Sequence, residues 1–171
     1  IPVYACFGNH DGGPWSRRRK RGHDTVAEVK HVLESSGIRT LLNQADEITI
    51  REQTLRIVGL GDYWATMMYP DGVLRPVNEH EGKRTILLSH NPDSKDKLRD
   101  FSWDVMLSGH THGGQVQIPF LGAPITPVRD KRFIDGLHEW EGRYLHITRG
   151  VGNIVGVRLN CRPQVSVVEL V

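Results

Sequence analysis

Three short apolar runs in this chain each stop dead at a cluster of small and polar residues, and every cluster carries histidine. Val3 to Phe7 ends at Gly8-Asn9-His10-Asp11. Arg84 to Ser89 ends at His90, and Asp104 to Ser108 ends at Gly109-His110-Thr111-His112-Gly113-Gly114-Gln115. Apolar runs of this length bounded by turn residues read as buried strands. Open α/β sheets build their sites at the carboxyl ends of strands. Neighbouring strands lie only ~5 Å apart, so ends remote in sequence can meet in space. Asn9, His10, His90, His110 and His112 are therefore candidates for one site. Imidazoles with an amide oxygen suit manganese, iron, zinc or nickel better than calcium or magnesium. On a strand His110 and His112 would share a face, but after Gly109 a turn is expected, and a turn can aim them at two different ions. Two ions ~4 Å apart clamp a phosphoryl group and supply hydroxide at neutral pH. "GNHD" by itself is also an ordinary turn sequence. Three such clusters at strand ends favour the site.

The rest of the chain reads as one α/β domain over residues 1–171. Hydrophobic residues make up 38% and charged ones 25%, the balance of a globular chain rather than a disordered one. A net charge of +2 demands no polyanionic partner. The basic run Arg17 to Arg21 reads as a solvated loop; attraction of an anionic substrate, or a basic nucleic-acid-binding module, are the alternatives. Cys6 and Cys161 form neither a zinc spacing nor a redox pair and read as small core residues. No apolar run approaches ~18 residues. Residues 12–23 read as a loop, and 61–82 as mostly loop with a short helix as the alternative. A helix is expected from an Asp24 cap through Val26, Val29 and Leu33 to Gly37, and another from Pro92 through residues 95–99. Further strands are expected at 39–42, 47–50, 55–60, 115–118, 143–147 and 164–170. Trp15, Tyr63 and Trp64 are assigned to core packing, with a pocket wall as the alternative. Arg149 reads equally as a phosphate contact or a surface residue. His23, His31, His80, His138 and His146 fit no motif.

"GNHD", "LLSH" and "GHTHGGQ", in this order, resemble the calcineurin-like metallophosphoesterases. The tail "TRGVGNIVGVRLNCRPQVSVVEL" is similar to that of their bacterial YaeI/YkuE-like phosphodiesterase branch. The resemblance implies part of a four-layer αββα sandwich. It also implies a dinuclear site of two divalent transition-metal ions, manganese first, with iron, zinc or nickel possible. Asn9, His90 and His110 match ligands of the second metal and His112 a ligand of the first. His10 matches the imidazole that contacts the phosphate and protonates the leaving group, with Asp11 orienting it. The implied reaction is hydrolysis of a phosphodiester by metal-bound hydroxide, on a small molecule or a lipid head group. Two family motifs that precede the asparagine motif, Asp-x-His and Gly-Asp-x-x-Asp, are absent. Gly61-Asp62-Tyr63-Trp64-Ala65 falls after it and lacks the second aspartate. The chain is thus expected to be the C-terminal portion of the domain, with its N-terminal strands missing. An inactive fragment with an incomplete metal site is the alternative. The exposed strand edges would invite pairing with the missing part or with another chain.

Overall fold

The computed structural model describes residues 2–20, 22–79, 82–153 and 156–170. It is a mixed α/β structure whose main sheet has six strands in the order β3-β4-β5-β6-β8-β7. Strands β4 (Gln53–Gly59), β5 (Arg84–Leu88), β6 (Val105–Ser108) and β8 (Arg143–Ile147) run parallel at its centre. Antiparallel β3 (Gln44–Ile50) and β7 (Gly136–Trp140) close its two edges. The two-residue hairpin turns hold both of their residues at positive φ, which of the four only Gly142 adopts without strain. Arg51 and Glu52 both take positive φ, as do Glu141 and Gly142, the requirement of a tight turn between twisted strands.

Register explains the core. Val58, Leu87, Met106 and Leu145 pair in one row across the four parallel strands, and each is fully buried. Leu60, Leu98, Trp103, Phe133 and Ile147 pack against that row. The next row along, Gly59, Leu88, Leu107 and His146, points to the opposite face. There a small parallel pair, β1 (Tyr4–Ala5) and β2 (Arg39–Thr40), approaches the sheet. Gly59 permits that approach, since a Cβ on it would stand 2.3 Å from Leu41 Cβ.

Several expected elements are changed. Strand Val3 to Phe7 is paired only at Tyr4–Ala5. Residues 12–23 are not all loop, because α1 (Gly13–Arg19) forms there. Pro14 stands at its start, where its fixed φ and missing N–H cost nothing, and Arg17, Arg18 and Arg19 lie in its last turn, where cations suit the helix dipole. The basic run is thus an exposed helix end as far as Lys20; Arg21 and His80 lie outside the described residues. The second helix, α2 (Val26–Ser35), starts one residue later than expected, with Thr25 rather than Asp24 as its cap, and Gly37 at φ 80° follows its end. Residues 115–118 make only isolated bridges, Val116 to Leu159 and Ile118 to Gly122. Residues 164–170 form no strand either, because among the described residues no strand stands beside them to supply a ladder. Strand β7, "GLHEW", was not anticipated at all. Both cysteines are free, as expected of core thiols; Cys161 is buried and Cys6 half-buried.

Candidate metal centre

Each candidate side chain stands just past the end of a strand. β5 delivers His90, β6 delivers His110, and the segment after β1 delivers Asn9. Their facing atoms form a nearly equilateral triangle. Asn9 Oδ1 lies 3.1 Å from His90 Nε2 and 3.2 Å from His110 Nδ1, and the two ring nitrogens are 3.2 Å apart. Hydrogen bonds alone leave this arrangement frustrated. The oxygen only accepts, and the two neutral rings can point at most one proton each into the triangle, so one edge stays repulsive. A cation makes all three contacts favourable. Donors ~2 Å from a common transition-metal ion stand ~3 to 3.4 Å apart, which is the spacing seen. The donor set therefore fits a divalent ion.

Electrostatics agree with that fit. Burial pulls the His90 ring down to about 4, helped by the nearby His112 and His10. Burial pulls His110 down to about 3, helped by His90, His112 and His10. Both rings are neutral at pH 7 and offer lone pairs without first losing a proton. His110 Nε2 is buried beside the Pro127 backbone and makes no well-formed hydrogen bond among the described residues.

The loop that carries His110 is strained. His110 (φ 67°) and His112 (φ 52°) both adopt the left-handed conformation. That costs ~1 to 2 kcal/mol for a side chain with a Cβ, and such outliers gather at functional sites. The turn separates the two imidazoles. His112 lines the same cleft but stands outside the triangle, its Nδ1 donating to the Gly152 carbonyl at 3.2 Å. Among the described residues no three His, Cys, Asp or Glu side chains group closely enough to hold one ion, so the Asn9 amide is the third donor of this set.

Two contacts that tighten the loop were missed by the sequence reading. Arg158 donates to the carbonyls of His112, Arg149, Gly150, Gly152 and Cys161. The Cys161 thiol donates to the His112 and Gly113 carbonyls at 3.2 and 3.3 Å. Nothing in "VRLNC" announces this clamp beyond its place after a glycine-rich stretch. Arg149, offered as a phosphate contact or a surface residue, is instead ion-paired with Asp135.

A cleft of about 280 Å³ opens over the triangle. His10 stands exposed at its mouth, edge-on to Trp15 at 4.7 Å between ring centres. Trp64 lies edge-on to His110 at 4.4 Å. Trp15 and Trp64 thus form a wall of the cleft, not core as expected; Trp15 stands in the first turn of α1 and Trp64 in a turn over residues 62–65. Asp62 holds that turn, accepting the Ala65 N–H at 2.8 Å. The Asp11 carboxylate accepts the Gly8 N–H at 2.7 Å, which fixes the turn presenting Asn9 and His10.

Gly8 allows the His90 ring to pack flat against the backbone, since a Cβ there would meet three ring atoms at 2.9 Å. Gly8→Ala is therefore expected to push His90 out of the triangle and weaken divalent-ion binding about 10- to 100-fold, the loss typical when a ligand's support is disturbed. Competition against a chelator measures it. Unchanged affinity would mean that His90 is not a ligand.

Three donors whose spacing fits a divalent ion thus lie at the base of a cleft, beside a strained histidine loop and below an exposed imidazole. The chain belongs to the calcineurin-like phosphoesterase family, which its residues 1–114 match. It is 45% identical over 170 residues to the phosphodiesterase YaeI of Escherichia coli, covering 99% of this chain and 58% of that protein. It is 30% identical over 166 residues to the metallophosphoesterase YkuE of Bacillus subtilis, covering 96% of this chain and 54% of that one. A Chlamydia trachomatis UDP-2,3-diacylglucosamine pyrophosphatase, LpxG, is 29% identical over 81% of the chain and 43% of its own length. The chain thus spans just over half the length of the first two. No solved structure matches it. The family is one of phosphoesterases, and the name of the Bacillus subtilis relative marks it as a metal-dependent one. Among the described residues no helix is long and apolar enough to cross a membrane.

Proposed function

We infer that this chain, as the C-terminal portion of a single domain, supplies much of the centre of a metal-dependent phosphodiesterase. The observation that carries the reading is the triangle of Asn9 Oδ1, His90 Nε2 and His110 Nδ1. On this reading those three side chains hold one ion. His112, its Nδ1 already engaged by Gly152, offers its other nitrogen to a second. Manganese is the first choice, and iron, zinc or nickel accept the same donors. The ions would supply positive charge against the phosphoryl oxygens and hydroxide at neutral pH.

The chain's own residues do the rest. His10 protonates the leaving oxygen, a step worth ~10² to 10⁴ in rate. Asp11 keeps His10 in place through the Gly8 turn rather than by carrying a proton. Trp15 and Trp64 shield the cleft from water on one side. Three donors for one ion and one for the other do not complete a pair of sites, so the remaining carboxylates are assigned to residues beyond these. Substrates are phosphodiesters first, and the name of the Chlamydia relative keeps diphosphate esters in the class.

A second reading, an ion-binding fold without turnover, has one observation in its favour. Among the described residues lining the cleft the one carboxylate is Asp11, and it is committed to a backbone N–H. Hydrolysis of bis-p-nitrophenyl phosphate by the full-length protein separates the two. The first reading expects turnover stimulated by manganese and abolished by a chelator. No turnover with manganese, nickel, zinc or iron would leave the second.

A further inference from the structure

Two loops leave neighbouring strand ends and meet at His112. His112 and Gly113 follow β6, Arg149 to Gly152 follow β8, and those two strands are paired. The first loop holds His112 (φ 52°) and Gly113 (φ 63°) in the left-handed conformation. The packing there is close, since a Cβ on Gly113 would stand 2.7 Å from Arg149 Cγ and 2.8 Å from Cys161 Sγ.

Arg158 joins the two loops. Its Nε donates to the Gly152 carbonyl at 3.1 Å. Nη1 donates to the carbonyls of His112 and Cys161 at 3.2 and 3.3 Å. Nη2 donates to those of Arg149 and Gly150 at 2.8 and 3.3 Å, and to Gly152 again. A guanidinium carries five N–H groups, and all three nitrogens of this one are committed to the backbone. An arginine beside a phosphoester cleft reads first as a clamp on the phosphate. This one has no donor left for that task, and it is not among the described residues that line the cleft.

The Gly152 carbonyl is the shared acceptor. It takes the His112 Nδ1–H at 3.2 Å as well as the guanidinium. A carbonyl only accepts, so this contact puts the His112 proton on Nδ1 and leaves a lone pair on Nε2. Arg158 thus holds His112 twice, its backbone directly and its ring through Gly152. Lysine could not do the same. It keeps the charge, but its three donors radiate from one point and cannot span five carbonyls.

We propose that Arg158 is a positioning residue for the second ion: it fixes the tautomer and placement of His112 and touches neither substrate nor metal. This rests on the metallophosphoesterase reading, in which His112 serves that ion.

The test uses the full-length protein with manganese as the probe. Equilibrium dialysis gives the two ion affinities of the parent, of Arg158→Gln and of Arg158→Lys. Both variants should keep one ion as tightly as the parent and bind the other ~10- to 100-fold more weakly. The ligand itself remains, so excess manganese should restore kcat on bis-p-nitrophenyl phosphate with an unchanged substrate KM. It should fail to do so in His112→Ala. Two ions bound by both variants as tightly as by the parent overturn the proposal. Equal weakening of both ions also overturns it, being the mark of a general structural loss. A substrate KM raised at saturating manganese overturns it as well, being the mark of a phosphate contact. Nitrogen-15 NMR of the parent carrying one equivalent of zinc needs no variant and decides the matter should neither variant fold. A His112 proton on Nδ1 upholds the proposal, and one on Nε2 overturns it. Absence of turnover in the parent removes the phosphoesterase reading, while ion affinities and proton position still decide the role of Arg158. A parent that binds a single ion overturns that role and leaves the triangle standing.

Discussion

His10→Ala in the metal-loaded full-length protein is expected to lower kcat about 100- to 10,000-fold on a phosphodiester with a poor leaving group, and to leave the metal content unchanged. The separation follows from placement. His10 is exposed at the mouth of the cleft, while the triangle of donors lies beneath it and does not include its ring. Its edge-on contact with Trp15 fixes the ring against a wall rather than against an ion. An alkoxide leaving group needs a proton as it departs, and p-nitrophenolate scarcely does. The loss should therefore shrink markedly on bis-p-nitrophenyl phosphate. Equal losses on both substrates, or loss of metal, would show that His10 is not the acid.

His110→Ala is expected to do the reverse. Its Nδ1 sits 3.2 Å from both other donors, and the ring is 8% exposed, so water cannot easily replace it. Divalent-ion affinity should fall by more than the ~10- to 100-fold typical of losing a supporting contact, and activity should fall with it on every substrate, whatever the leaving group. His112→Ala, outside the triangle, should leave one ion equivalent bound. Metal analysis of the two variants after dialysis decides between them; equal retention in both would remove His110 from the ligand set.

Much of this centre was legible because strands and turns write strong local signals. An apolar run that stops at a small residue and then a histidine or asparagine places that side chain at a strand end, and three such stops set Asn9, His90 and His110 at strand ends. The mixed α/β class followed from the same runs. What was illegible depends on partners remote in sequence. Arg158 reads as one more surface arginine, and only the folded chain shows it gathering five carbonyls around the His112 loop. Trp15 and Trp64 looked like core because burial follows size, yet the first turn of α1 and the turn held by Asp62 place them in a cleft wall. Residues 164–170 alternate as a strand should, and Val165 and Val167 are nonetheless exposed, since a strand needs a neighbour that composition cannot supply. The short helix after Gly12 was hidden by its glycines, although Pro14 marks its first turn.

The central claim is that Asn9, His90 and His110 surround one divalent ion. Anomalous scattering from manganese-soaked crystals of the full-length protein tests it most directly. The account predicts a peak ~2.1 Å from each of Asn9 Oδ1, His90 Nε2 and His110 Nδ1. Crystals that take up manganese elsewhere, with these three atoms still in contact with one another and no peak within ~4 Å of them, would contradict it.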